Sequence, residues 1–181
     1  ELLPKIEKAF GHLPTIQAPQ QDISREPAQQ GERRLVIKRE GLVPSLMMGY
    51  HVPNLRSPDS YVLEVIEAIL SSGKSSRFYE RLIREKQVAL RTDAGYSITS
   101  RDPTLFFIFA EVLAGKDMAV LEKAIDEEIM RLQTEPVVPE ELSKAKNQLE
   151  AGFIYGRDSV FNQAMVLARY EIAETWSRVE D

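Results

Sequence analysis

Cysteine is absent from the 181 residues. That excludes a disulfide framework and any thiolate metal site, and it fits either a reducing cytosol or a periplasm. Histidine is nearly absent: His12 stands in HLPT and His51 in HVPN, neither with a second histidine or a glutamate at metal-binding spacing. No apolar run approaches the ~18 residues of a membrane-spanning helix, and no signal-like segment opens the chain. Basic charge is the scarcer sign, 23 Lys and Arg against 28 Asp and Glu for a net charge of -5, so the basic face that a nucleic-acid partner requires is missing. Glu1 is not an initiator and the opening helix starts abruptly, which reads as an excised piece of a longer protein.

What is present is 43% hydrophobic content, enough for one core, arranged in two periodicities. Residues 1–10 predict a short helix with Leu2, Leu3, Ile6 and Phe10 inward, stopped by Gly11 and Pro14. Residues 14–31 are rich in glutamine and proline and predict an exposed connection. RRLVIKRE (33–40) predicts a strand, and SLMMGYHV (45–52) a second one, central because both of its faces are apolar. VALRTDAGYSIT (88–99), with a bulge expected at Gly95, and TLFFIFAEV (104–112) should pair. Helices follow at 117–133 and 139–155, the second with inward Leu142, Ala145, Leu149 and Phe153 and a Glu140–Lys144 pair. Asp158 is expected to cap a last helix whose buried stripe is Phe161, Ala164, Met165, Ala168 and Ile172. Paired helices between strands, without strict βαβ alternation, predict an α+β two-layer sandwich with a mainly antiparallel sheet and helices on one face.

The densest stretch runs from Gly49 to Leu90. Val62, Val65, Ile66, Ile69 and Leu70 form one helical stripe, Ser71 to Gly73 break it, and Ser75 or Ser76 can cap a second helix with Phe78, Tyr79, Leu82 and Ile83 on its apolar face. SGKSS (72–76) could end a phosphate-binding loop, but such a loop needs glycine where Ala68 stands, inside a helix. The Arg77, Arg81, Arg84, Glu80, Glu85 cluster reads first as a solvated helix face. Phe106, Phe107 and Phe109 read as core or interface, and Glu140 and Glu141 as carboxylates favoured at a helix N-terminus.

SSRFYERLIREK (75–86), following a helix and Gly73, resembles the serine-rich turn and helix in the second-type domain of insulinase/pitrilysin-type zinc metallopeptidases. ELLPKIEKAFGHLP resembles the helix leading out of such an enzyme's zinc domain; RDPTLFFIFAEVLAGKD and EELSKAKNQLEAGFIYGRDSV resemble the later strand and helices. The resemblance implies a sandwich like the domains of mitochondrial processing peptidase, with residues 1–13 as a helix from a missing catalytic domain, 14–31 as interdomain linker and 32–181 as one inactive peptidase-type domain. It implies a zinc motif, H-x-x-E-H, which this sequence lacks, so zinc and catalysis are expected in the missing domain. The family's R-x-K-x-x-x-x-Y pair is matched by Arg84 and Lys86 but broken where tyrosine should follow, at Leu90 and Arg91; Tyr96 is the nearest phenol downstream. No catalytic or metal residue is therefore expected here, and Arg77, Arg84, Arg91 and Tyr96 are candidates for lining a substrate chamber or meeting a neighbouring domain. The implied partners are the zinc domain of the same chain, a second subunit carrying the Arg/Tyr pair, and peptide substrates, in a periplasmic setting or alternatively a cytoplasmic one. Two other readings stand beside this one: a scaffold or processing-complex subunit without peptidase activity, and a free-standing ligand-binding module.

Overall fold

The computed structural model describes residues 2–14, 27–41 and 43–180. Most of the expected connection at 14–31 lies outside them. The chain divides into two compact units, residues 1–39 and residues 40–181.

In the first unit, helix α1 (Leu3–Phe10) buries none of its residues. Leu2, Leu3 and Phe10, expected to point inward, are exposed, as is Ile6. The helix forms as expected, but its apolar stripe is exposed among the described residues. Residues 33–39 are irregular rather than a strand. A strand needs a ladder partner, and none is supplied to this run among the described residues.

The second unit is built on a three-stranded antiparallel sheet of β1 (Ser45–Val52), β2 (Ala89–Gly95) and β3 (Thr104–Val112), in the order β1-β3-β2. The expected pairing of the last two strands holds. The central strand, however, is β3 and not β1, because β1 owes its two-faced apolar look to Met47, which points outward and is exposed. β3 shows the cleaner alternation: Phe106, Ile108, Ala110 and Val112 are buried, with Leu105 and Phe107 on the other face. The register irregularity falls between Ala89 and Arg91, not at Gly95, so Leu90 is the extra residue. Gly95 has a different use: a Cβ there would lie 2.1 Å from the Phe107 ring, which occupies the space the missing side chain leaves.

Helix α2 (Asp59–Ser71), a π-helical segment (Tyr79–Glu85) and helix α3 (Met118–Thr134) cover the inner face of the sheet. Leu70, Phe78, Leu82, Leu121 and Ile125 from these three elements meet Phe106 and Ile108 in one core. Val62, at the start of the α2 stripe, remains exposed. The helices start by backbone-directed side chains: Ser57 Oγ accepts from the Asp59 N–H, and Asp117 accepts from the Ala119 N–H. Gly73, at φ +80°, makes the turn out of α2 that a residue with a Cβ would resist. Ser76 does not cap the next helix; its hydroxyl donates 2.8 Å to the Gly73 carbonyl and tightens that turn.

Helices α4 (Pro139–Gly156) and α5 (Val160–Ala173) complete the unit. Ala145 packs against Ala68 and Ile69, but Leu149 and Phe153 are partly exposed. Ser159, not Asp158, caps α5, accepting from the Asn162 N–H. The expected buried stripe of α5 is open instead: Phe161 is 72% exposed, Ile172 61% and Met165 37%. Its end is fixed where Ala173, with Tyr170 beside it, joins Leu55 and Ile98 and the Arg56 Nε donates 3.0 Å to the Ala173 carbonyl.

Candidate functional site

Arg77 lies two residues ahead of the π-helical segment and reaches α4. Its Nε and Nη2 donate to the two carboxylate oxygens of Glu141 at 2.8 and 2.7 Å, a two-pronged bond with both side chains largely buried. The guanidinium holds the Glu141 carboxyl below the usual carboxylate range. One turn along α4, Lys144 donates 2.7 Å to the Ser75 carbonyl. The serine turn is thereby clamped to the first turns of α4, and Lys144 is spent on that contact rather than on Glu140.

Arg84 lies on the solvent side of the same segment, 71% exposed, with its Nη1 3.1 and 3.2 Å from the Glu80 carboxylate one turn back. Arg81 pairs with Glu85, and Lys86 with Glu127 of α3. Arg81, Lys86 and Glu127, with Lys123 and Arg131, line a charged cleft of ≈ 520 Å³ between the π-helical segment and α3; Arg84 lies outside it. Arg91 is elsewhere, on the outer sheet face opposite Glu111, its guanidinium 5.7 Å from the centre of the Phe109 ring.

Tyr96 follows β2 and packs on the inner side. Its ring stacks on Phe106 at 6.4 Å, its hydroxyl donates 2.7 Å to the Pro53 carbonyl, and its backbone N–H donates 3.2 Å to Glu67. Burial, followed by the charge of Glu64, pushes its phenol up to about 12. A phenol so held is a strut between the end of β1 and the end of β2. The four candidates thus occupy three surfaces, and no hydrogen bond or ion pair joins any two of them among the described residues.

The sequence reading passed over the most perturbed group, Glu67. Burial raises its carboxyl to about 7, Glu64 and Asp93 push in the same direction, and only the Tyr96 N–H opposes them. Glu64 is raised as well, by burial. The signal was available in EVIEAIL, where both glutamates lie beside inward positions of the α2 stripe, but nothing in the sequence shows that Asp93 comes to face them.

Residues 1–149 match the model of the peptidase M16 inactive domain. The chain belongs to that family. Among its relatives is the zinc protease PqqE of Helicobacter pylori, 26% identical over 147 residues, which are 81% of this chain and 33% of that protein. A solved protease from Helicobacter pylori overlays 99% of the chain with a TM-score of 0.91 at 24% identity, and the overlay covers 44% of that protease. The inactive peptidase domain of a Bordetella parapertussis protein overlays 81% of the chain and 83% of its own length, with a TM-score of 0.69 at 21% identity. The chain therefore spans well under half the length of the Helicobacter proteins it matches.

Zinc in M16 proteins belongs to the catalytic domain, and the donors of this inactive domain do not fit the metal. Its two histidines fall in separate units of the chain. Among the described residues no three His, Asp or Glu side chains are grouped to hold an ion. The Glu67 carboxylate accepts the Tyr96 N–H, with the charges of Glu64 and Asp93 acting on it from nearby. No described helix is long and apolar enough to cross a membrane.

Proposed function

We propose that this chain is the non-catalytic domain of a longer zinc metalloendopeptidase, where it helps to enclose the peptide chamber and pairs with the zinc-bearing domain or a partner subunit. The observation that carries the reading is the match to the M16 inactive domain over residues 1–149, in a chain without the H-x-x-E-H ligands. The open apolar stripes of α1 and α5, each by itself, support it, since exposed apolar residues along one helix face suit contact with further protein. Arg84 and the charged cleft, together with Arg91 on the outer sheet face, are the side chains offered to a neighbouring domain or to peptide. Arg77 and Tyr96 act behind them, fixing the serine turn and the strand ends. The metal, the water it ionises and the Arg/Tyr pair are supplied from outside these residues, in a periplasmic or alternatively a cytoplasmic setting.

The test is hydrolysis of an unstructured peptide by three preparations: the natural gene product with its partner, the same product lacking residues 40–181, and this chain alone. Cleavage is expected from the first, a loss of about tenfold or more from the second because substrate positioning is lost, and none from the third. Cleavage by this chain alone would refute the proposal.

A further inference from the structure

Four parts of the second unit meet at Tyr96. Its N–H donates to Glu67 of α2, its hydroxyl donates 2.7 Å to the Pro53 carbonyl after β1, and its ring stacks on Phe106 of β3. The same ring packs against Leu55, Ile98 and Ala173, the cluster in which α5 ends. The residues on either side are tied to the same places. Ser71 Oγ at the end of α2 donates 3.2 Å to the Ala94 carbonyl, and the Leu55 N–H donates 2.9 Å to the Ile98 carbonyl. Seating residues 94–98 against α2 therefore also seats the anchor of α5.

Glu64 and Glu67 stand one turn apart on α2, both half-buried. Among the described residues neither is paired with a Lys, Arg or His. Asp93 of β2 adds like charge to Glu67, and Glu64 acts on the Tyr96 and Tyr170 phenols. Arg178, beyond α5, acts on Tyr170 and donates to the Tyr61 hydroxyl. Helix α4, packed on α2 through Ala145, spends Glu141 on Arg77 and Lys144 on the Ser75 carbonyl. Burial pushes both phenols up and keeps them neutral, so the two glutamates are the groups of this cluster that change charge near neutral pH. We propose that the Glu64–Glu67 pair is a proton-operated latch: with a proton bound, residues 94–98 and the end of α5 stay seated together, and with both carboxylates charged they open together. The direction follows from burial, which raises Glu67 to about 7: the proton favours the closed seam below that value, and opening gains as pH rises through it. The latch sets how firmly α5, with its open apolar face, is held, and it is built within the second unit.

Amide hydrogen exchange on the natural gene product, expressed as protection relative to the unfolded rate at each pH, tests the latch. From about pH 5.5 to about pH 8 the protection of Ala94 to Ile98 and of Tyr170 to Ala173 should fall together by about tenfold. At both pH values these amides should exchange faster than those of β3 and respond little to dilute urea, which marks local opening rather than unfolding of the whole unit. Glu67→Gln should remove most of the fall, whereas Glu141→Gln, outside the cluster, should leave it in place. If Glu67→Gln does not fold, exchange on the unsubstituted protein decides. Protection that does not change with pH, or that falls in one of the two segments alone, overturns the inference. So does a seam as well protected as β3 at pH 8, since the seam would then open only when the whole unit unfolds.

Discussion

Glu67 has a carboxyl near pKa 7 on a helix face, one N–H donor and two further carboxylates, Glu64 and Asp93, beside it. A carboxyl raised in the folded state binds a proton more tightly there than in the unfolded chain. Its contribution to stability is therefore complete at low pH and falls as pH rises from about 4.5 through about 7. Glu67→Gln keeps an oxygen for the Tyr96 N–H and removes the charge, so thermal melts should show the variant more stable than the parent at pH 8 and equal to it at pH 5. Arg77 and Glu141 give the opposite sign. The Glu141 carboxyl is depressed by its arginine, so that pair stabilises above the usual carboxylate range and is lost as pH falls below it. Arg77→Lys places a point charge where a fork is required and should cost about 1–3 kcal/mol in a denaturant titration at neutral pH. Much of that cost should vanish in the Glu141→Gln background, since the partner is already gone.

At the scale of elements, the π-helical segment is the least conventional piece. Its closing bond runs from the Lys86 N–H to the Arg81 carbonyl, one residue wider than in an α-helix, and Gln87 then takes φ +50° before β2 begins. A side chain in that region is strained and glycine is not, so Gln87→Gly should leave stability unchanged or raise it by about 1 kcal/mol, read from the denaturation midpoint. The widening was invisible in RFYERLIREK, whose apolar spacing fits either helix, and the same segment still buried Phe78 and Leu82 as expected. Helices were legible because their stripes are local, as α3 shows with Leu121 and Ile125 inward. Strand order was not, because the outward Met47 on edge strand β1 and the inward aromatic on β3 look alike in sequence. Likewise LVIK has the composition of a strand wherever its ladder partner lies.

For the whole molecule, the misplaced expectations share a cause. The stripes of α1 and α5 are expected in the interior and the run at 33–40 as a strand; the stripes are open and the run is irregular. The patterns located the helices and their apolar stripes, but the expected burial of those stripes is not found. The chain spans a third of one relative and 44% of another, and under the proposed function these open stripes are the surfaces that meet further protein. The candidate site was legible in the same limited way: the missing metal ligands could be read directly, whereas the positions of Arg77, Arg91 and Tyr96 depended on α4, the bulge at Leu90 and the stacking on Phe106. The central claim is that this domain lends architecture to a metal held elsewhere, and its most direct measurement is the zinc content of dialysed protein. Stoichiometric zinc in the natural gene product and none in residues 1–181 is the predicted result; tight, stoichiometric zinc in residues 1–181 would contradict it.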